Sequence, residues 1–262
     1  MCWEKMKILV CIKEIIDPES PLALSEDGAV VQDKKTSYRM NRYDEFALEE
    51  AVQIKERAPG TTVTAITVGQ LRSGEMLRRA LGKGADDAVH IVTGTRFLIP
   101  PKKTARLIAD YARNKNFDLI FAGVMSEDGM YCQTGPMIAS MLGIPFAVSV
   151  ISEKLDQEKN SLAVECEIEG GTRERAAVSL PCLLSVQSGI NHPRYPSLSN
   201  VLRAKNQEIT EIAVRDPELS ATGGPAGLLC YPPQPDRGVM LEGTREEKAA
   251  QLVSILHERG FL

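Results

Sequence analysis

The chain has 262 residues, a length that suits one large domain with an appendage. Hydrophobic residues make up 43% and charged residues 25%, which is ordinary for a globular protein and argues against a disordered chain. A net charge of −4 with only 5% aromatic residues gives no sign of a nucleic-acid-binding surface, so we expect no nucleic acid partner.

Cysteine and histidine usage argues against a metal centre. No two of the six cysteines form a C-x-x-C pair, and only three histidines are present, so we expect no metal site and free, buried thiols in a reducing compartment. The apolar stretch near the N-terminus is too short for a signal peptide, and the longest apolar run, residues 136–150, is broken at Gly143-Ile144-Pro145. We therefore expect a cytoplasmic protein without membrane insertion.

The first half of the chain alternates strand and helix patterns. Residues 6–13 form a short apolar run of strand length, and Asp27-Gly28 predicts a small hairpin in the connection that follows. Further strands and helices are predicted at residues 61–68, 73–81, 88–92 and 104–115. This alternation predicts an α/β fold, Rossmann-like, with a mostly parallel sheet covered by helices on both faces. Ligands of such sheets bind at the carboxyl ends of the strands.

The first strong helix pattern begins at Asn41. Asn is a favoured N-cap, and Asp44 and Glu45 follow where a capping arrangement needs acidic side chains, so we expect Asp44 to act as a helix-cap residue. The apolar periodicity of this helix predicts that Glu49 and Glu50 face water.

Residues 117–150 carry the most informative pattern. A buried strand at 117–122 ends at Gly123, a turn follows at Asp128-Gly129, and a helix begins around Gln133 to Pro136. A helix that starts at the carboxyl end of a strand presents free N–H groups and a partial positive charge, which suits phosphate. From spacing alone, an ordinary well-capped strand-to-helix loop is the favoured interpretation, and the phosphate site is the alternative.

The pattern changes after residue 150. Alternating runs at 147–155, 161–169 and 172–178 predict a small antiparallel meander, followed by a strand at 181–186 and a short helix at 197–204. Residues 216–243 are rich in Pro and Gly and predict an extended arm before an amphipathic helix at 244–258. We therefore divide the chain into a nucleotide-binding α/β domain, 1–214, and a C-terminal arm and helix, 215–262, expected to pack on a partner subunit.

Four stretches together resemble the beta subunit of electron-transfer flavoprotein. They are KILVCIKEIIDP near the start, the N-x-x-[DE]-x-x-A-x-E-E-A helix, the loop G-x-x-S-x-D-G-x-x-x-Q-T-G-P-M-I-A from Gly123, and N-x-P-R-Y-x-x-L from Asn191. Each motif alone is weak, whereas four in the same order are strong. The resemblance spans residues 6–205.

This resemblance implies a non-catalytic electron carrier. Family members pair with an alpha subunit that holds most of a redox-active FAD, and the beta subunit holds a nucleotide of its own. That nucleotide is AMP in the housekeeping branch and a second FAD in the electron-bifurcating branch. The implied partners are an acyl-CoA dehydrogenase of fatty acid oxidation and a quinone-reducing acceptor. The nucleotide-binding positions carried over are Cys11, Asn41, Arg42, Tyr43, Asp44, Val68, Gly123, Ser126, Glu127, Asp128, Gly129, Met130, Tyr131, Cys132, Gln133, Thr134, Gly135, Pro136 and Met137.

The loop at residues 187–194 resembles the family's recognition loop for the dehydrogenase. Ile190 stands where the family inserts an apolar anchor, and an exposed apolar residue between Gly and Asn suits a small binding hot spot. The implied partner-binding residues are Ile190, Asn191, Pro193, Arg194 and Tyr195. The alternative is that Ile190 packs on the surface of its own domain.

The nucleotide loop departs from the family pattern at Met130 and Tyr131, which replace an acidic and a small hydroxyl residue. Thr134, where many bifurcating members carry Val, favours AMP over a second FAD. A bifurcating subunit with two FAD groups is the alternative within the family, and a stand-alone ATP- or AMP-binding α/β protein is the alternative of another class.

Overall fold

The computed structural model of the chain describes residues 5–21, 23–24, 30–31, 36–94, 99–156, 159–214, 230–231, 233 and 238–262. The strands are β1 (Lys7–Ile12), β2 (Glu14–Ile16), β3 (Ala23–Leu24), β4 (Val30–Val31), β5 (Tyr38–Met40), β6 (Thr62–Gly69), β7 (Asp87–Thr93), β8 (Leu119–Gly123), β9 (Phe146–Asp156), β10 (Ser161–Glu167), β11 (Arg173–Ser179), β12 (Cys182–Val186) and β13 (Thr210–Val214). The α-helices are α1 (Arg42–Arg57), α2 (Gly74–Lys83), α3 (Pro101–Ala112), α4 (Thr134–Leu142), α5 (Leu198–Asn206) and α6 (Arg245–Glu258).

Across the described ranges, the main sheet has nine strands in the order β11-β10-β9-β12-β8-β1-β6-β7-β13. Seven neighbouring strands of this sheet are mutually parallel, namely β9, β12, β8, β1, β6, β7 and β13. Strands β10 and β11 extend it at one edge as antiparallel strands. The predicted α/β fold with a mostly parallel sheet is confirmed. The predicted meander is continuous with that sheet, because β9 pairs with β12 as well as with β10.

Helices cover both faces of the sheet, as predicted. Along β1, Ile8, Val10 and Ile12 pack into a core cluster that includes residues of α1 and α2, whereas Leu9 and Cys11 pack into a second cluster with α3 and α4. This alternation follows from the period of two along a strand. Because both faces are covered, the strand is apolar from Ile8 to Ile12, and only Lys7 at its start is charged and exposed.

Several sequence predictions need correction. Helix α1 begins at Arg42 as expected, but the side chain of Asn41 makes no capping hydrogen bond, so the predicted capping arrangement is wrong. Glu49 and Glu50, predicted to face water, are buried because a later loop covers them. Strand β13 was not predicted, since its five residues, TEIAV, include none that is buried and lack the nearly continuous apolar run of β8 and β12. The Asp27-Gly28 turn lies outside the described residues, although β3 and β4, which flank it, pair antiparallel.

The chain divides into two compact units, Met1–Leu228 and Leu229–Leu262. The division predicted at 214/215 and the packing of the arm on a partner stay predictions. In the second unit, α6 starts with a capping box in which Thr244 Oγ1 accepts from the amide of Glu247, and the amide of Thr244 donates to Glu247 Oε2 at 2.7 Å. Among the helices described here, none is both long enough and apolar enough to cross a membrane.

Candidate functional site

The order of the strands places a crevice at the carboxyl ends of β1 and β8. The chain proceeds from β1 to β6 and β7 on one side, and then returns to β8 on the other side of β1. Such a reversal is the usual position of a ligand in an open parallel sheet. Lys13 follows β1 here, and Gly123 ends β8 and leads through a loop to α4.

Asp44 ties these two strand ends together. Its Oδ2 accepts from the amide of Lys13 at 2.8 Å, and its Oδ1 accepts from the amide of Gly123 at 3.1 Å. Burial raises the pKa of Asp44 to about 7, although these hydrogen bonds act to lower it. Asp44 therefore links the ends of β1 and β8 beneath the crevice, whereas the sequence predicts a helix-cap role.

The approach of α1 to β8 requires glycine at position 123. A Cβ atom there would lie 2.5 Å from Asp44 Oδ1 and 2.6 Å from the Cβ of Tyr43, which is too close for any non-bonded contact. Gly123 thus allows the first turn of α1 to press against the strand end.

Asn41 and Arg42 hold the loop that follows β8. The side chain of Asn41 donates to the carbonyl of Met125 at 2.9 Å and accepts from the amide of Glu127 at 3.1 Å. The Glu127 carboxylate in turn accepts from the amide of Arg42 and from the guanidinium of Arg39, both at 3.0 Å. The motif at the start of α1 and the loop motif, recognised separately in the sequence, are therefore one structural unit.

Lys13 binds the middle of the same loop. Its ammonium donates to Ser126 Oγ at 3.1 Å and to Asp128 Oδ1 at 2.6 Å. Burial acts to raise the pKa of Asp128, but the charge and hydrogen bond of Lys13, together with hydrogen bonds from Ser126 and the amide of Gly129, hold that pKa below its usual range. Asp128 therefore stays ionised, and most of the charge of Lys13 is already balanced.

The last part of the loop, residues 129–132, projects outward. Met130 and Cys132 have backbone φ angles of 52° and 54°, a left-handed conformation that is uncommon for residues other than glycine. Met130 and Tyr131 are exposed, and the ring of Tyr131 lies close to Gly129. The bulky pair therefore stands at the rim of the crevice.

Cys132 and Cys230 are exposed, so the expectation of buried thiols is wrong for these two, and it is confirmed for Cys11, Cys166 and Cys182.

Helix α4 begins at Thr134, as predicted, with an open N-terminus. Gln133 precedes the helix and makes no capping hydrogen bond. The amides of Thr134 and Gly135 donate to no acceptor among the residues that the structure describes, and Pro136 has no amide hydrogen. Gly135 is buried, and a Cβ there would lie 3.3 Å from Leu183, so glycine brings this helix start against the sheet. The result is two free donors at the positive end of a helix.

Apolar side chains lie on the α4 side of the same strand ends. Cys11 is buried on β1, and Val68 and Met137 pack against the core cluster that contains it. Burial, and then the negative charge of Asp44, raise the pKa of Cys11, so its thiol stays protonated. These three residues offer an apolar wall and no reactive group.

The loop at residues 190–195 lies across α1 and is held by its acidic side chains. Arg194 donates from Nε and Nη2 to Glu49 at 2.9 and 3.0 Å, and from Nη1 and Nη2 to Glu56 at 2.5 and 3.0 Å. Burial acts to raise the pKa of Glu49, but the hydrogen bonds from Arg194, together with one from Gln53, hold that pKa low. Hydrogen bonds to Glu56 and then to Glu49 raise the pKa of Arg194 further.

Asn191 makes the second attachment of this loop. Its Nδ2 donates to the carbonyl of Phe46 at 3.0 Å and to Glu50 Oε2 at 2.9 Å. Ile190 is half-buried rather than exposed, because its side chain packs against the core cluster on the α1 face. Pro193 is half-buried and Tyr195 is 97% exposed. Asn191 and Arg194 thus position the loop, and the contacts of this loop with another protein stay a prediction.

Sequence reasoning missed two residues of the crevice, Lys13 and Arg39, both of which bind the 123–133 loop. For Lys13, the available signal was its position directly after β1 on the carboxyl edge of the sheet, because charged residues there face the ligand side. Arg39 lies within β5 of the separate β2-β5 sheet and carried no such signal. It also missed that Glu49 and Glu50 in one motif are the partners of Arg194 and Asn191 in another.

Comparisons with known proteins agree with these motifs. Residues 28–217 match the family model for the electron transfer flavoprotein domain. The chain is 35% identical over 260 residues to the electron transfer flavoprotein subunit beta of Methylophilus methylotrophus, covering 97% of this chain and 98% of that protein. It is 34% identical to the Bacillus subtilis subunit beta, covering 96% and 97% of the two chains, and 30% identical to the Mus musculus subunit beta, covering 96% and 98%. This chain therefore belongs to the family of electron transfer flavoprotein beta subunits.

Proposed function

We propose that this beta subunit joins an alpha subunit to form an electron carrier. The carrier takes electrons from an acyl-CoA dehydrogenase, delivers them to a quinone-reducing acceptor, and contains an AMP held by the beta subunit. Bound FAD, held mainly by the alpha subunit, supplies the group that accepts and releases electrons. The beta subunit contributes binding and positioning, and no general base or nucleophile is required of it.

The observation that carries the AMP proposal is the open start of α4. The free amides of Thr134 and Gly135 and the hydroxyl of Thr134 form a compact donor set at the positive end of a helix dipole. A phosphate group suits such a set, because its oxygens accept several hydrogen bonds at once. Family membership and this donor set together support a resident nucleotide.

The charge balance of the crevice favours a single phosphate. Lys13 is paired with Asp128 at 2.6 Å, so its charge is largely committed within the chain. At the start of α4, two amides, one hydroxyl and the helix dipole remain available, a set that matches a monophosphate better than a longer anionic chain. Cys11 and Val68 provide the apolar wall on which an adenine ring would lie.

Contacts within the chain hold the strand ends, the loop and the helix start that surround this site. Asp44 joins the two strand ends, Asn41 and Glu127 fix the loop, and Gly135 sets the helix start against the sheet. Such preorganisation lowers the entropic cost of binding, which suits a structural nucleotide that is retained through purification.

Electron transfer provides the test of the proposed function. The heterodimer with its alpha subunit is purified, and its FAD absorbance is followed anaerobically while acyl-CoA and an acyl-CoA dehydrogenase are added. We expect the flavin absorbance to bleach only when dehydrogenase and substrate are both present. A chain that is monodisperse without an alpha subunit, binds no flavin and hydrolyses ATP would contradict the proposal.

A further inference from the structure

A groove of about 510 Å³ lies beside the 190–195 loop and shares only Arg42 with the residues expected to bind the nucleotide. It runs between the first turns of α1, the exposed side of α2 and the loop itself. Its lining is notably basic, with Arg42, Arg79, Lys83 and His192 among apolar parts of Phe46 and Pro196.

The charges of this groove are only partly balanced. Lys83 lies 3.3 Å from Glu45, and Arg194 is already committed to Glu49 and Glu56. Within the part of the chain that the structure describes, neither Arg42 nor Arg79 has a carboxylate within salt-bridge distance of its guanidinium. Both are exposed, so two positive charges face the solvent at one opening.

We propose that this groove binds an acidic segment of the protein that docks on the 190–195 loop, with carboxylates paired to Arg42 and Arg79. The proposal rests on the proposed function, which supplies the docking protein, and adds to it the charge of the segment and the residues that bind it. Guanidinium groups suit this task because each can donate two parallel hydrogen bonds to one carboxylate.

The surroundings of the groove favour a protein segment over a small free anion. Tyr195 is 97% exposed at the edge of the groove, and Leu198 and Leu202, 76% and 54% exposed, follow it one turn apart on α5. Exposed Tyr and Arg beside apolar side chains are the composition of protein-binding hot spots. Arg194 and Asn191 attach the loop to α1, and this attachment fixes the position of the loop relative to the basic groove.

Binding of a fluorescein-labelled oligoglutamate peptide to the purified heterodimer tests the groove without the dehydrogenase. The variant is Arg79→Glu, and the matched control is Lys102→Glu, an exposed charge reversal on α3, which covers the opposite face of the sheet. At about 10 mM salt, where charges act over about 30 Å, we expect Arg79→Glu to weaken the peptide at least about tenfold and Lys102→Glu to change it less than about twofold.

Electron transfer then links the groove to docking. With an acyl-CoA dehydrogenase as donor, Arg79→Glu should raise the KM for the heterodimer at least about fivefold and leave kcat unchanged, because only encounter and binding use this charge. Equal effects of the two variants on peptide affinity, or displacement of the peptide by equimolar inorganic phosphate, would overturn the proposal. A heterodimer that no acyl-CoA dehydrogenase reduces would count against the proposed function, and peptide binding would still decide the role of the groove.

Discussion

Replacing Arg194 with alanine should destabilise the protein more than replacing an exposed charged residue does. Arg194 donates four side-chain hydrogen bonds to two carboxylates, and the Glu49 side chain is only 6% exposed. Removing one partner of a buried ion pair costs about 3–5 kcal/mol. Because Arg194 itself is 32% exposed and water can enter the vacated space, we expect about 2–3 kcal/mol.

Urea unfolding of the heterodimer at one fixed protein concentration measures this loss. Arg175→Ala is the control, since Arg175 is 84% exposed and pairs with Glu165 at the sheet edge, where an ion pair is worth about 0.2–1 kcal/mol. If Arg194→Ala lowered the free energy of unfolding no more than Arg175→Ala, the loop would not be held by these pairs.

The same variant carries a pH signature. Hydrogen bonds from Arg194 hold the pKa of Glu56 below its ordinary value, and they outweigh burial to do the same for Glu49. The stabilisation from both groups is therefore complete above the unfolded pKa of about 4.3 and is lost as pH falls through the lower folded values. The difference in unfolding free energy between wild type and Arg194→Ala should shrink as the pH falls below about 4, and a difference that stays constant as the pH falls through the lowered folded pKa values of Glu49 and Glu56 would refute the electrostatic explanation.

Three further variants test the crevice. Gly123→Ala should cost about 3 kcal/mol or prevent folding, because its Cβ would lie 2.5 Å from Asp44 Oδ1, whereas Gly94→Ala, with nothing within 4 Å, should be neutral in the same urea assay. Asp44→Asn should cost about 1–3 kcal/mol, since an amide offers one acceptor where the carboxylate serves two backbone amides; thermal unfolding equal to wild type would contradict this. Thr134→Val should lower AMP retention during dialysis about tenfold with FAD content unchanged, and full AMP retention would exclude the hydroxyl as a phosphate donor.

The arrangement of strands and helices was largely predictable from periodicity. The alternation through residue 150 and the change to an antiparallel pattern after it reflect how much of each element is buried, and burial is what hydrophobic periodicity records. Strand β13 was not predicted because it lies at the edge of the sheet and none of its residues is buried, so its sequence lacks the nearly continuous apolar run that marks the equally short β8 and β12.

The contacts that build the site were less predictable. Asn41 is a favoured cap residue, but its side chain binds a loop more than eighty positions later, so tertiary contacts overrode the local preference. Glu49 and Glu50 have the character of surface residues, and their burial depends on the hydrogen bonds that Arg194 and Asn191 donate to them from a distant loop. Such pairings depend on long-range folding, which the spacing of residues along one helix does not encode.

The nucleotide content of the purified heterodimer tests the central claim most directly. The protein is denatured with acid, and the released nucleotides are separated and quantified against the protein concentration. The open start of α4, with donors for a single phosphate, predicts one AMP for each heterodimer. The proposed electron-carrier function predicts one FAD for each heterodimer. Two FAD and no AMP would contradict the account and identify a bifurcating subunit instead.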